Sequence, residues 1–211
     1  MPHALAEHIR QQINKGLPGT AVQYRMAPAR RIQIEGVQRD HKNAGVLILL
    51  YQSGKGISLV FIKRTDYPGI HSWQISFPGG KSEQNDRDIC LTAIREAEEE
   101  LGIDLKQINV IGMLTRLHIP VSNITVYPVI GFIEYKPSYH PDRTEVDHVI
   151  EVEVDELLRP ENVKYADMEI RSEIISVPYY DIYGEKIWGA TAMILSEFIE
   201  ILTRRRMFHQ E

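Results

Sequence analysis

The stretch Arg95-Glu96-Ala97-Glu98-Glu99-Glu100 sets four carboxylates and one guanidinium in six residues, with Gly79-Gly80 upstream. At about 100° per residue on a helix, Glu96, Glu99 and Glu100 fall within about 100° of one another, while Cys90, Ile94, Ala97 and Leu101 gather on the roughly opposite side. Three acids so placed repel by about 1 kcal/mol per pair near a surface, even with screening. They also lie toward the helix C-terminus, where the backbone dipole favours cations. One reading is a solvated acidic face. The other is a site for a divalent cation, since Mg²⁺ takes one or two carboxylates together with waters and phosphate oxygens. Carrying both penalties at once favours the cation, and the apolar face is expected to turn the acids away from the core.

The elements that must position this helix follow from the pattern of the chain. Leu5, Ile9 and Ile13 recur every four residues and predict an N-terminal amphipathic helix at about 4–15. Residues 44–51 and 59–64 read as buried strands joined by a hairpin turn, and Gln74–Phe77 as a strand leading into Pro78-Gly79-Gly80. The piece Gly54-Lys55-Gly56 lacks the first glycine of a phosphate loop. Residues 87–101 form the strongest helix, closed by Gly102. Strands are expected at 108–117, 124–135 and 148–154, a short helix in 155–163, a hairpin around Tyr183-Gly184 and a last helix at 190–205. Strands alternating with helices, with hairpins among them, predict an α/β (α+β) fold: a mixed sheet covered by helices, in a single domain spanning 1–211.

Composition narrows the partners. A net charge of −5 gives no general attraction to nucleic acid or to an anionic membrane. The single cysteine, Cys90, rules out an internal disulfide and points to a reducing, cytoplasmic setting. No apolar run reaches the roughly 18 residues of a membrane span, and residues 1–16 lack the uninterrupted apolar core of a signal peptide. The histidines show no zinc-ligand spacing. Cys90 reads as a small core residue and Trp188 as a core anchor.

Gly80 through Ile103 resembles the Nudix box, G-x5-E-x7-R-E-U-x-E-E-x-G-U with U aliphatic. Arg95, Glu96, Ala97, Glu99, Glu100, Gly102 and Ile103 match its second half. In the first half Asp86 stands at the glutamate position, and eight residues rather than seven separate it from Arg95, as after one insertion. The longer run from Phe61 to Gly102, with Arg64-Thr65, His71 and Phe77-Pro78-Gly79-Gly80, is similar to the coenzyme A pyrophosphatase branch of that superfamily. So are the flanking segments 26–31, 144–152 and 177–195. Trp73 and Ile62 depart from the branch motif, standing where it has glycine and threonine.

The resemblance implies a Nudix fold, a mixed sheet sandwiched between helices, and a Mg²⁺- or Mn²⁺-dependent hydrolase that cuts a nucleoside-diphosphate derivative. The branch implies coenzyme A or an acyl derivative, giving 4′-phosphopantetheine and adenosine 3′,5′-bisphosphate. The alternatives are ADP-ribose or a dinucleotide as substrate, or a silent nucleotide-binding sensor. Glu99, Glu100 and Glu96, with the Gly80 carbonyl, are the implied metal ligands, and Glu96 can also take a water's proton. Arg95 pairs with a carboxylate to fix the loop–helix geometry or touches phosphate. Glu145, before the strand near His148, is either a further catalytic acid or an exposed loop acid. Arg64 and His71 are candidate substrate contacts, His71 being equally readable as loop packing. The basic stretch containing Arg30 and Arg31 is a solvated face or a grip on the 3′-phosphate of coenzyme A. The partner is a small-molecule nucleotide, and a homodimer is compatible with the superfamily.

Overall fold

The computed structural model describes residues 2–28, 41–54, 56–65, 74–170 and 173–204. In chain order the elements are α1 (Pro2–Asn14), α2 (Thr20–Gln23), β1 (Lys42–Ser53), β2 (Gly56–Arg64), β3 (Ile75–Ser76), β4 (Gly79–Lys81), α3 (Ile89–Leu101), β5 (Asn109–Met113), β6 (Leu117–Ile119), β7 (Ile124–Ile133), β8 (Val146–Glu153), α4 (Val154–Leu157), β9 (Val163–Ile170), β10 (Glu173–Ile182), β11 (Glu185–Trp188) and α5 (Gly189–Thr203).

β1 is apolar at nearly every position because both its faces are covered, the pattern of a central strand. Leu47, Leu49 and Tyr51 point to one side, where they meet Ala93, Ala97 and Leu101 of α3. Ile48 and Leu50 point to the other, into a larger core shared with Ile9 of α1, Tyr180 and Ile182 of β10, and Met193, Leu195 and Phe198 of α5. β7 pairs with β1 in parallel along ten residues, Lys42↔Ile124 to Tyr51↔Ile133, and the other pairings in the main sheet are antiparallel. The parallel pair requires a crossover, and α3 supplies it on one face of the sheet.

The feature that matters for chemistry is a fork. β1 and β2 pair only from Leu50↔Leu59 to Ser53↔Gly56 and then part. The segment 75–81 runs between them: β3 pairs with the end of β2 and β4 with the start of β1. Pro78 accepts from the Leu47 amide at 2.8 Å, and Phe77 stacks against Phe61 with ring centroids 4.9 Å apart.

Three expectations are corrected. The stretch 108–117 is two strands rather than one, because the amide and hydroxyl of Thr115 donate to Glu197 on α5, at 3.2 and 2.6 Å, and so turn the backbone out of the ladder. Residues 163–170 form a strand that polar Lys164, Asp167 and Glu169 hide from a pattern reading. It joins β10 and β11 in a separate antiparallel sheet of three strands beside the mixed sheet. Helix α3 begins at Ile89, two residues after the expected start, because Asp88 caps it by accepting from the Leu91 amide at 2.9 Å.

Close approach of α3 to β1 depends on Gly45, where a Cβ would fall 2.7 Å from the Ile89 carbonyl oxygen and 2.8 Å from the Ala93 nitrogen. Both are backbone atoms that cannot swing aside. Gly45→Ala is therefore expected to lift α3 from the sheet and to cost about 1–3 kcal/mol. Urea denaturation with an unchanged m value checks it.

Candidate active site

Helix α3 lies with Ala93, Ala97 and Leu101 fully buried against the sheet, and this turns Glu96 and Glu100 toward the fork rather than to open water. Here the expectation that the apolar face turns all the acids away from the core is corrected for Glu100. The Glu100 side chain is only 3% exposed. Its Oε2 accepts from the Gly79 amide at 2.7 Å, and its Oε1 pairs with Arg64 Nη2 at 3.0 Å. The same Nη2 donates to the Gly79 carbonyl at 3.2 Å. Glu99, one residue earlier, is 61% exposed, and Glu96 lies between these extremes at 18%. Burial pushes the Glu100 carboxyl up to about 7, outweighing Arg64 and the Gly79 amide, and the charges of Glu145 and Glu96 push it the same way. The Glu96 carboxyl is also raised, by burial first; Arg95 pulls it down, while Glu99 and Glu145 raise it.

Arg95 binds the loop to the helix. Its Nε and Nη2 fork onto the two oxygens of Asp86, each at 3.1 Å. Nη2 also reaches the Lys81 carbonyl at 3.3 Å and Glu96 Oε1 at 2.9 Å, and Nη1 reaches Glu99 Oε2 at 3.0 Å. Asp86 accepts in addition from the Glu83 amide and the Thr92 hydroxyl, both at 2.9 Å. Arg95 first, then the Glu83 amide, hold the Asp86 carboxyl well below the usual carboxylate range, and Asp86 in turn holds the guanidinium above its ordinary value. The inserted residue of the box is thus taken up in loop 82–88, with Asp86 as its anchor.

Gly80 packs directly beneath Glu96, where a Cβ would collide with the Glu96 carboxylate. Glu145 immediately precedes β8, its carbonyl accepting from the Thr65 amide at 3.0 Å. Its charge acts on both Glu96 and Glu100, from 45 positions beyond Glu100 in the sequence. Arg64 is engaged by Glu100 and Gly79. His71, Arg30 and Arg31 lie outside the described residues, as does Trp73. Cys90 is half-buried, its thiol 3.9 Å from the Met113 sulfur and pushed up by burial and by Asp88, the setting of an unreactive packing residue.

Sequence reading did not find the Arg64–Glu100 pair, nor the role of Asp86. No spacing rule links β2 to α3, although the acid six positions beyond the double glycine was a signal for the second.

Among the described residues no three His, Cys, Asp or Glu side chains already converge as a metal shell, because Arg95 draws Glu96 and Glu99 to itself. The donor set nonetheless suits a hard divalent cation: two carboxylates raised by burial and by neighbouring acids, beside a glycine whose missing Cβ leaves backbone and carboxylate in contact.

Residues 41–173 match the model of the NUDIX domain, and a Nudix hydrolase NudL of Photorhabdus laumondii is 30% identical over 76% of this chain and 85% of its own length. The chain belongs to the Nudix family. Nudix hydrolase 15, mitochondrial, of Arabidopsis thaliana is 35% identical over 73% of this chain. The match spans 56% of that plant protein and 64% of its relative Nudix hydrolase 22, chloroplastic. The Nudix hydrolase RenU of M. smegmatis shares the fold at a TM-score of 0.53 and 15% identity, over 76% of this chain and 84% of its own. No helix among the described residues is long and apolar enough to cross a membrane.

Asp86→Ala removes both oxygens of the Arg95 fork and should cost about 1.5–3 kcal/mol, read by chemical denaturation. Since the Asp86 carboxyl is depressed in the fold, its contribution is fully present above the ordinary carboxylate range and is lost as pH falls below that range toward the lowered value. Asp86→Asn is therefore expected to flatten the acid limb of the stability profile.

Proposed function

We propose that this chain is a Mg²⁺- or Mn²⁺-dependent Nudix pyrophosphohydrolase whose substrate is coenzyme A or an acyl derivative. The observation that carries the metal-dependent chemistry is the pair Glu96 and Glu100 on one helix, both pushed up first by burial and further by the charge of Glu145 from a distant segment, at a fork lined by glycine backbone. Family membership and relatives named as Nudix hydrolases support the same reading.

In this reading Glu99, Glu100 and Glu96, with the Gly80 carbonyl, hold the cation. When bound, the cation neutralises the diphosphate and activates a water. The chain's own residues do the rest. Arg95 stays forked on Asp86 while yielding Glu96 and Glu99, so loop and helix keep their register. Arg64 holds Glu100 in place. Glu96 or Glu145 accepts a proton as the water oxygen forms its bond to phosphorus; the bridging P–O bond breaks and the second phosphate leaves with that oxygen. Arg30, Arg31 and His71 are proposed substrate contacts, the arginines toward the 3′-phosphate. A single catalytic domain, a cytoplasmic setting and a homodimer belong to the same proposal. Trp73, standing where the branch motif has glycine, favours a second reading in which ADP-ribose or a dinucleotide is preferred. The complete set of acids argues against a silent sensor.

Glu99→Gln is the clean test of the metal reading. Glu99 is exposed and its pair with Arg95 is worth about 0–1 kcal/mol, whereas Glu100→Gln would also strip Arg64 and the Gly79 amide of their charged partner. Glu99→Gln is expected to abolish most activity at unchanged or slightly higher stability. Activity within about threefold of wild type at saturating Mg²⁺ would overturn the assignment.

Substrate choice is decided by kcat/KM for coenzyme A, dephospho-coenzyme A, ADP-ribose and NADH on one preparation. Coenzyme A should lead. Dephospho-coenzyme A should trail it by one or two charge-assisted contacts of about 1.5–3 kcal/mol each. A tenfold preference, about 1.4 kcal/mol, for ADP-ribose or NADH would reject the coenzyme A reading and leave the Nudix chemistry standing.

A further inference from the structure

Asp142, Arg143, Thr144 and Glu145 are all exposed, and in sequence Asp142 is one more polar loop residue. Its hydrogen bonds say otherwise. The side-chain Oδ1 accepts from the Thr144 amide at 2.8 Å and from the Thr144 hydroxyl at 2.7 Å. The Asp142 carbonyl accepts from the amides of Glu145 at 3.1 Å and Val146 at 2.8 Å, and its own amide donates to the Glu100 carbonyl at 3.2 Å. From the other side, the Thr65 amide donates to the Glu145 carbonyl at 3.0 Å and the Thr65 hydroxyl to the Thr144 carbonyl at 2.9 Å. Thr65 adjoins Arg64, the partner of the Glu100 carboxylate. The turn bearing Glu145 is therefore closed by Asp142, pinned to the last turn of α3, and pinned again to the end of β2.

We propose that Asp142 is a positioning residue that aims the Glu145 carboxylate at Glu96 and Glu100. A carboxylate accepting from the amide two residues on narrows a turn that would otherwise sample many conformations. The inference rests on the reading of Glu96, Glu100 and Glu145 as one cation-holding cluster. Because Thr144 is exposed, freeing its amide and hydroxyl to water leaves the fold nearly as stable, while the acid carried on the next residue loses its fixed aim. The bond from the His140 amide to the Leu101 carbonyl, at 2.9 Å, stays in place and keeps the loop attached.

The test compares Glu99→Gln, Glu145→Gln, Asp142→Ala, Asp142→Asn and the double variant Asp142→Ala/Glu145→Gln. Turnover is measured on whichever of the four diphosphates above is cleaved fastest. Mn²⁺ binding to the substrate-free protein is read by electron paramagnetic resonance, alongside the melting temperature. Asp142→Ala should lose about tenfold or more in kcat and weaken Mn²⁺ binding, with KM and melting temperature little changed. Asp142→Asn, whose amide oxygen can accept the same two Thr144 bonds, should recover most of both. The double variant should be no worse than Glu145→Gln alone. Wild-type kcat and Mn²⁺ affinity in Asp142→Ala, or losses that multiply in the double variant, would overturn the proposal. Full activity in Glu145→Gln beside an inactive Glu99→Gln would overturn it and leave the metal reading intact; full activity in both would overturn that reading as well.

Discussion

A carboxylate that is 3% exposed is costly to keep, because burial favours its protonated form. Glu100 is kept by two partners drawn from different parts of the chain, the Gly79 amide and the Arg64 guanidinium. That one side chain joins the end of β2, the segment in the fork and the last turn of α3. It also explains why the fork exists in this form. Had β1 and β2 stayed paired along their whole length, no backbone amide could reach α3 there. The burial is incompletely compensated, and the carboxyl pushed up to about 7 records the shortfall. A group in that condition is stabilised by any cation that comes near it.

The second constraint is thickness. Acids can be brought against backbone only where no side chain intervenes, and glycine occupies the points where α3 and its acids come closest to the backbone beneath. Gly45 meets the helix backbone, Gly79 adopts φ +148 against the Gly45 carbonyl, and Gly80 meets the Glu96 carboxylate. Ala93 and Ala97 complete the surface. The Arg95–Asp86 fork then fixes the loop above this thin layer, so an insertion in the box lengthens the loop without moving the acids.

Glu197 offers a contrast within the same molecule. It is fully buried on α5, with no arginine or lysine bonded to it among the described residues, and it accepts from the Gly19 amide, the Gln23 side chain, and the amide and hydroxyl of Thr115. An acid surrounded by four donors is a structural knot, here tying the segment after α1 and the break between β5 and β6 to the last helix. Glu96 and Glu100 instead have few donors each and feel the charge of Glu145. The difference between a structural acid and a chemical one lies in that surplus of charge over donors.

Much of this was legible in the residues. Periodicity marked α1, α3 and α5, apolar runs marked β1, β2 and β7, Gly102 marked the end of α3, and the Arg95–Gly102 pattern marked the family, because local propensity and short-range spacing decide those features. Strand β9 was not legible, since its polar side chains carry no apolar period, nor was the splitting of 108–117 by a glutamate on the last helix. The helical wheel grouped Glu96, Glu99 and Glu100 correctly as neighbours, but it treated the three as equals. Only the tertiary structure separated them into a buried, an intermediate and an exposed acid, because what covers a helix face is set by the chain segment packed on it. For the same reason Asp86, Glu145 and Asp142 acquire meaning only once loops far apart in sequence are brought to the two ends of one helix.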